Sequence, residues 1–271
     1  MTVEEKMELL KEIIKGLGAV CIAYSGGVDS TFLTKVSRDV LGDDVLAVTA
    51  TSPTYPRREL EEAIALAKEI GVRHIVIESG EMMMPDFVEN RPDRCYHCKR
   101  DLFDRLKDIS HSYGFKYILD GSNLDDTRDF RPGRIAAEER GVKSPLREAG
   151  LTKEEIRLLS RRLGLRTWNK PSLACLSSRI PYNERITEKK LSQIEEAEEV
   201  LKGLGFTQFR VRHHNEIARI ELIPEEFPFI LDEVKRARIV DRLKSLGFIY
   251  ITLDMAGYRT GAMNEVLKDA D

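Results

Sequence analysis

Apolar runs alternate with amphipathic segments along the first two thirds of the chain. Short runs rich in Val, Ile, Leu and Ala are typical of buried strands, whereas apolar positions repeated every three or four residues are typical of helices. The runs predict strands at residues 19–25, 44–52, 74–79 and 116–123. The repeats predict helices at residues 30–42, 57–72, 99–114 and 151–165. Strands separated by helices predict an α/β fold in which a parallel sheet carries helices on both faces.

Helix ends are marked by local signals. Gly71 follows the last apolar position of one helix and predicts a C-terminal cap. Thr152 and Glu155 have the spacing of a capping box, and Gly164 predicts the end of the helix that they open.

The pattern changes after Pro181. A charged helix is followed by two strands joined through Asn215, a long helical segment, a third strand and a closing helix. These elements are predicted at residues 186–206, 209–214, 217–223, 224–248, 248–254 and 261–270. Such an order predicts a small α+β domain. We therefore predict two domains, residues 1–180 and 181–271.

Charge and composition narrow the possible partners. The formal net charge is −3, which argues against a nucleic-acid partner because such binding needs a basic surface. Residues 1–14 form an acidic amphipathic pattern without the basic start and apolar core of a signal peptide. No apolar run is long enough to cross a membrane. We expect a cytoplasmic protein whose four cysteines are reduced, which favours metal binding or catalysis over disulfide bonds.

The stretch SGGVDS follows the first predicted strand and opens a helix. Gly26 and Gly27 allow a tight bend that brings backbone N–H groups to phosphate oxygens, between Ser25 and Ser30. A Walker loop would carry a lysine after its last glycine, and this stretch has none. Asp29 stands at the helix start instead. A carboxylate beside phosphate needs a bridging cation, so we infer Mg²⁺ between Asp29 and pyrophosphate. The structural alternative is a strand-to-helix turn with a capping Asp and Ser.

SGGVDS resembles the signature of the PP-loop ATP pyrophosphatases, which split ATP between its α- and β-phosphates and leave AMP on a substrate oxygen. The resemblance continues in DGSNLDD at residues 120–126, where the family completes its nucleotide pocket, and it places Gly121 there. It implies a Rossmann-like sheet. Ligands of open parallel sheets bind at the carboxyl ends of the strands, where both segments are predicted to fall.

Three cysteines stand outside predicted core positions, while Cys21 lies in an apolar strand and reads as a small buried hydrophobe. Cys95 and Cys98 have a two-residue gap that lets both sulfurs face one metal or each other. Cys175 lies among serines in a polar loop. The three suit a [4Fe–4S] cluster with one open iron that holds hydrosulfide. A redox dithiol and a Zn²⁺ site completed by a histidine remain open; the candidate histidines are His97, His111, His213 and His214.

Over nearly its whole length the chain resembles the LarE family of ATP-dependent sulfur transferases of nickel-pincer cofactor synthesis. The segments that carry this resemblance are SGGVDS, RCYHCK, PSLACLSSRIPY, FRVRHHNEIARIEL and ITLDMAGYRTGAMNE. It implies adenylation and thiocarboxylation of both carboxylates of a pyridinium dicarboxylate mononucleotide. One form of the family sacrifices the sulfur of a cysteine at the position of Cys175 and leaves dehydroalanine. Another form has three cysteines and a cluster, and Cys95 and Cys98 place this chain with it.

The substrate's own phosphate needs a basic anchor. Arg210 and Arg212 alternate along one predicted strand and therefore share a face, and Arg259 is a third candidate. Exposed arginines on a solvated strand face are the structural alternative. Arg179 is expected to favour the thiolate of Cys175. The family resemblance further implies a homo-oligomer, a ring-like hexamer.

Glu199 is a further residue that we expect near the substrate or a metal, although its acidic stretch also reads as a solvated helix face. His213 and His214 are expected to stabilise their region rather than to catalyse.

Two other functions fit parts of the pattern. A PP-loop enzyme that thiolates a tRNA uridine would need a surface for a polyanion, which the net charge and the small second domain disfavour. A non-catalytic sensor would use the three cysteines to report iron or redox state, which the complete loop with Asp29 disfavours.

Overall fold

The computed structural model describes residues 1–128, 132–171, 174–259 and 261–268. The chain folds into two compact units. Unit 1 comprises Met1–Met84 and Asp93–Leu173, and unit 2 comprises Pro85–Pro92 and Ala174–Asp271.

The sheet of unit 1 confirms the predicted α/β fold. Its strands are β1 (Val20–Ala23), β2 (Val45–Thr51), β3 (Arg73–Glu78) and β4 (Tyr117–Leu119). They run parallel in the order β3-β2-β1-β4. The chain passes from β1 outward to β3 and then returns to place β4 on the other side of β1. The switch point of this open sheet therefore lies between β1 and β4.

Helices cover both faces of this sheet. The helices of unit 1 are α1 (Val3–Leu17), α2 (Val28–Leu41), α3 (Arg57–Ile70), α5 (Arg94–Ser112), α6 (Pro132–Glu139), α7 (Pro145–Glu148) and α8 (Lys153–Arg162), and α4 (Pro85–Val88) belongs to unit 2. Val20 and Ile22 of β1 enter one core with α1 and α2, whereas Cys21 enters a second core with α5. This alternation follows from the pleat, which points successive side chains to opposite faces. Cys21 is the buried hydrophobe that its position predicts.

The predicted caps are present. Gly71 ends α3 with φ 73° and ψ 30°, a left-handed conformation that glycine adopts at little cost. Thr152 and Glu155 form the complete capping box of α8. Helix α5 differs from its prediction, because it begins at Arg94 and not at residue 99. Cys95 and Cys98 therefore lie in the first turns of a helix.

Unit 2 contains a small mixed sheet, as the α+β pattern predicts. Its strands are β5 (Phe209–His214), β6 (Ile217–Leu222) and β7 (Tyr250–Leu253). Strands β5 and β6 are antiparallel, and β7 joins β6 in parallel. Asn215 occupies the connection between β5 and β6 with φ 55°. Its short polar side chain tolerates this left-handed conformation better than most residues.

Helices complete unit 2. They are α9 (Glu188–Gly203), α10 (Phe227–Leu231), α11 (Glu233–Ser245) and α12 (Glu265–Lys268). The predicted long helix at 224–248 is interrupted at Asp232, whose ψ of 127° is extended and whose carboxylate caps α11. A core of apolar residues lies between α9, α11 and the sheet. The predicted closing helix extends to residues 269–270, which lie outside the described residues.

In the described part of the chain, no helix is both long and apolar enough to cross a membrane.

Candidate active site

The nucleotide loop, residues 25–30, has the tight turn that its glycines predict. Gly26 has φ 62°, and a Cβ there would lie 2.8 Å from Cβ of Ala63 on α3. Only glycine satisfies both conditions. Gly27 occupies the N-cap position of α2 and has no side-chain cap. The loop is closed by the backbone N–H of Ser25, which donates to Oγ of Ser30 at 3.2 Å, and by the contact between the two hydroxyls at 3.0 Å. The first N–H groups of α2 thus lie at a tight glycine turn, an arrangement that suits an anion.

Asp29 lies in the first turn of α2 and meets two side chains from distant segments. Nζ of Lys153, the first residue of α8, donates to Oδ2 of Asp29. Nδ2 of Asn123 donates to Oδ1 at 3.4 Å. Gly121 lies close to the same turn, since a Cβ at residue 121 would be 3.0 Å from the backbone N of Ser30. The two segments that were predicted to form the nucleotide pocket are therefore adjacent in unit 1.

This pocket occupies the switch point of the sheet. The nucleotide loop follows β1, and residues 120–126 follow β4, the neighbour of β1. Asp120 and the residues after it are held in place by local contacts: the Ser122 hydroxyl donates to Oδ2 of Asp120 at 2.8 Å, and Ser144 donates to Oδ1 at 2.7 Å. These two hydrogen bonds restrain the start of the polar segment that follows β4.

Sequence reasoning missed Lys153, Asn123, Lys170 and Tyr55. Nζ of Lys170 donates to the carbonyl of Gly26 at 3.2 Å and forms ion pairs with Glu59 at 2.6 Å and Glu62 at 2.8 Å. The hydroxyl of Tyr55 donates to the carbonyl of Ser25 at 2.7 Å. Of these four residues, only Asn123 belongs to a motif described above, DGSNLDD. The sequence offered one indication for Lys153, which is its position directly after Thr152, the N-cap of α8.

The Cys-x-x-Cys pair lies on α5. Cys95 is exposed, and Cys98 is half-buried. The two positions are three residues apart on a helix and therefore face the same side. His97 lies between them, with Nε2 3.2 Å from Oδ2 of Asp93.

Cys175 belongs to unit 2 and is half-buried. It is the N-cap residue of a 3₁₀ turn at Leu176–Arg179. Arg179 does not extend into solvent but is fully buried, and it forms a two-bond ion pair with Glu198 at 2.9 and 3.0 Å. Its Nη1 donates to the backbone carbonyls of Ala174 and Cys175 at 2.6 and 3.0 Å and to the Ser178 hydroxyl at 3.0 Å. The positive charge that was expected to favour the Cys175 thiolate is therefore matched by a carboxylate.

The three candidate phosphate anchors differ in their surroundings. Arg212 is buried, and its guanidinium forms a two-bond pair with the fully buried Glu221 at 2.9 and 2.7 Å. This pairing favours a structural role for Arg212. Arg210 lies with its guanidinium 5.2 Å from the ring centroid of Tyr258. Burial and the nearby Arg179 lower the pKa of Arg210.

Arg259, the third anchor, pairs with Glu265 at 3.2 Å near the surface. This hydrogen bond raises the pKa of Arg259.

The two histidines of β5, which were expected to stabilise their region, lie in surroundings that disfavour their charged form. Burial and the nearby Lys190 lower the pKa of His213 to about 4. Its Nε2 lies 3.2 Å from Oε1 of Gln193. Burial also lowers the pKa of His214. Glu199 is exposed and borders an open groove of about 400 Å³ between α9 and α11.

The side chains present have the chemistry needed to bind the two groups that the sequence predicts, Mg²⁺ and an iron–sulfur cluster. Asp29 presents a carboxylate beside the glycine turn, where it already pairs with Lys153, and oxygen ligands are those that Mg²⁺ prefers. Cys95, Cys98 and Cys175 form no disulfide and lie outside the apolar cores, and thiolates are the ligands of iron–sulfur clusters. Within each unit, the described side chains contain no group of three His, Cys, Asp or Glu residues arranged as a metal site. The shared three-thiol site stays a prediction.

Known proteins resemble this chain at two levels. The NAD synthase family model matches residues 2–96, which contain the nucleotide loop. Pyridinium-3,5-bisthiocarboxylic acid mononucleotide synthase of Lactiplantibacillus plantarum is 40% identical over 99% of this chain and 97% of its own length. An uncharacterised protein of Synechocystis is 46% identical over 97% of this chain and 98% of its own length. A GMP synthase of Aeropyrum pernix is 23% identical over 73% of this chain and 43% of its own length.

Proposed function

Because the chain belongs to the LarE family of PP-loop sulfurtransferases, we propose that it converts the carboxylates of a pyridinium dicarboxylate mononucleotide into thiocarboxylates at the expense of ATP. The observation that carries this proposal is the end-to-end similarity, at 40% identity, to a synthase named for the bisthiocarboxylic acid product. Such a product has two sulfur ligands suited to nickel, which agrees with a role in nickel-pincer cofactor synthesis.

The first step is adenylation in unit 1. The nucleotide loop and the N-terminus of α2 bind the phosphates through backbone N–H groups. A carboxylate oxygen of the substrate attacks the α-phosphorus, the bond from that phosphorus to the bridging oxygen breaks, and pyrophosphate leaves with the electron pair. Asp29 would hold Mg²⁺, which would supply positive charge to the leaving pyrophosphate. Lys153 and Asn123 orient the Asp29 carboxylate through their contacts with it.

The second step replaces AMP by sulfur. Adenylation turns a poor leaving group into AMP, so a sulfur nucleophile adds to the activated carbonyl carbon and the carbon–oxygen bond to AMP breaks. Cys95, Cys98 and Cys175 would be the ligands of a [4Fe–4S] cluster, which would supply the sulfide. Without that cluster, the Cys175 thiolate is the nucleophile and loses its sulfur by β-elimination.

The substrate's phosphate is assigned to the arginines of unit 2. Arg210 and Arg259 are the favoured anchors, because the pair of Arg212 with Glu221 is buried whereas the pair of Arg259 with Glu265 lies near the surface. Guanidinium groups match phosphate oxygens with two parallel hydrogen bonds.

The test combines pyrophosphate release with mass spectrometry of the product. Anaerobic enzyme, ATP, Mg²⁺ and the pyridinium dicarboxylate mononucleotide should yield pyrophosphate, AMP and a product in which sulfur replaces oxygen. A supply of sulfide should allow more than one turnover per chain. A single turnover with dehydroalanine at residue 175 would identify the sacrificial route. Release of pyrophosphate with bulk tRNA and not with the mononucleotide would contradict the proposal.

Asp29→Ala tests the metal assignment. We expect pyrophosphate formation to fall by roughly 100-fold or more, because the charge on the leaving group is no longer matched. Asp39→Ala, near the other end of α2, is the matched control and should keep the wild-type rate. Normal ATP turnover in the Asp29 variant would show that this carboxylate does not hold the metal.

A further inference from the structure

Arg179 carries a charge that has no exposed surface (0%). A guanidinium is costly to remove from water unless its N–H groups are satisfied. Five acceptors surround it: Glu198 Oε1 and Oε2 at 2.9 and 3.0 Å, the carbonyls of Ala174 and Cys175 at 2.6 and 3.0 Å, and the Ser178 hydroxyl at 3.0 Å. Three of these acceptors belong to the turn that carries Cys175.

The two carbonyl groups that accept hydrogen bonds from Arg179 flank the Cα of Cys175. The oxygen of residue 174 belongs to the peptide group before the Cα of Cys175, and the oxygen of residue 175 belongs to the peptide group after it. Peptide groups are planar, so an anchor on each side restrains both φ and ψ of Cys175, which are −58° and 152°. The direction of the Cα–Cβ bond, and hence the region that the thiol reaches, is fixed with them.

Glu198 ties this turn to the rest of unit 2. Besides pairing with Arg179, its Oε1 accepts the backbone N–H of Val211 on β5 at 3.1 Å. Glu198 itself belongs to α9, which packs in the core of unit 2. The guanidinium therefore connects the Cys175 turn to one helix and one strand at the same time.

We propose that Arg179, with Glu198 as its partner, is the positioning residue for the Cys175 thiol. The claim rests on the proposed function for the use of that thiol in sulfur transfer, whereas the restraint on its backbone rests on geometry alone. Lysine cannot replace Arg179, because an ammonium lacks the planar fork that serves a carboxylate and two carbonyls together.

Arg179→Lys tests the proposal on the intact chain. We measure alkylation of each cysteine by iodoacetamide in cluster-free protein, resolved by peptide mass spectrometry. Loss of charge-assisted hydrogen bonds should free the turn and raise the Cys175 alkylation rate roughly tenfold. Cys95 and Cys98 provide internal references and should react as in wild type. In the active enzyme, thiocarboxylate formation should fall roughly 100-fold, because the sulfur site is displaced, while pyrophosphate formation continues.

Arg157→Lys is the matched control. Arg157 also donates to two backbone carbonyls, those of Trp168 and Lys170, both at 2.8 Å, but they lie upstream of the Cys175 turn. This variant should leave Cys175 alkylation at the wild-type rate. Equal acceleration in both variants would mean general loosening and would overturn the proposal.

A double variant, Arg179→Met with Glu198→Leu, separates positioning from stability. Apolar side chains of similar size often replace a buried ion pair without loss of stability. If the double variant keeps its melting temperature, Cys175 alkylation should still rise and sulfur transfer should still fall. Wild-type values of both in a folded double variant would overturn the proposal. Failure of wild type to form any thiocarboxylate would contradict the proposed function, yet the alkylation rates would still test the positioning role.

Discussion

At the scale of single residues, unit 2 is distinguished by ionisable side chains inside its fold. Arg179, Arg212 and Glu221 are almost fully buried and persist because each has a partner of opposite charge. Among the described residues, His213 forms no ion pair: its Nε2 faces Gln193, and Lys190 and the carboxylate of Glu184 lie close enough to influence its titration. Because its pKa is lowered, we expect the ring to be neutral and unit 2 to lose stability in acid.

His213→Gln should reduce the pH dependence of stability. The pKa of His213 is about 4 in the folded chain, and an unfolded histidine titrates near 6.5. Between these values the unfolded chain binds more protons, so the free energy of unfolding falls as the pH decreases from about 6.5 towards 4. Urea denaturation at pH 7.5 and pH 5 should show that wild type loses about 1 kcal/mol more than His213→Gln, after allowance for partial hydration of the ring.

His111→Gln on α5, where the side chain is exposed, is the control for this comparison. It should show the same loss as wild type. The idea fails if His213→Gln and wild type lose equal stability on acidification.

At the scale of elements, the start of α8 links local structure to the active site. Its capping box fixes the first turn, where the Thr152 N–H donates to Glu155 at 2.9 Å. The next residue, Lys153, donates its backbone N–H to Asp125 at 2.8 Å and its ammonium to Asp29. The capping box thus fixes the start of α8, and this position lets the Lys153 ammonium reach Asp29 in the nucleotide loop.

Thr152→Ala should lower both stability and the rate of adenylation. Loss of an N-cap costs about 1 kcal/mol, and fraying of the first turn should displace Lys153 and slow pyrophosphate release several-fold. The chain provides a matched control, because Thr2 and Glu5 form the same capping box on α1. Thr2→Ala should lose similar stability in urea and keep the wild-type rate of pyrophosphate release. Equal rates in the two variants would show that the α8 cap does not act on the site.

At the scale of the whole molecule, the three thiols of the predicted cluster site belong to different units. Cys95 and Cys98 lie in unit 1, and Cys175 lies in unit 2. Unit 2 is not continuous in sequence, because residues 85–92 belong to it. In that segment, Nδ2 of Asn90 donates to the carbonyl of Ile180 at 3.1 Å. The predicted division into domains at residue 180 stays a prediction.

Cys95→Ser should abolish the cluster without affecting adenylation. We expect wild type purified under strict anaerobiosis to contain iron and acid-labile sulfide, and the variant to lose both, because serine is a poor iron–sulfur ligand. Pyrophosphate release should continue, since the nucleotide loop is unchanged. Cys21→Ala, at a buried position in the core of unit 1, should retain iron. One zinc per chain and no sulfide in wild type would remove the cluster from the mechanism.

The sequence by itself determined the features that depend on near neighbours. The period of apolar positions gave the strands and helices, and the caps at Gly71 and Thr152 followed from residue types within one helical turn. The glycine turn after β1 was equally readable, because φ/ψ requirements are local. The start of α5 was misplaced, since polar and charged residues around Cys95 obscure the helical period there.

Only the tertiary structure decided which distant side chains meet. It placed Lys153 on Asp29 and Lys170 on the carbonyl of Gly26, and it paired Arg179 with Glu198 where the sequence indicated a free positive charge beside Cys175. Such pairs depend on how the chain closes long loops and on which charges must share one buried space. Hydrophobic periodicity and helix or strand propensity act over a few residues, so they predict neither loop closure nor the pairing of buried charges.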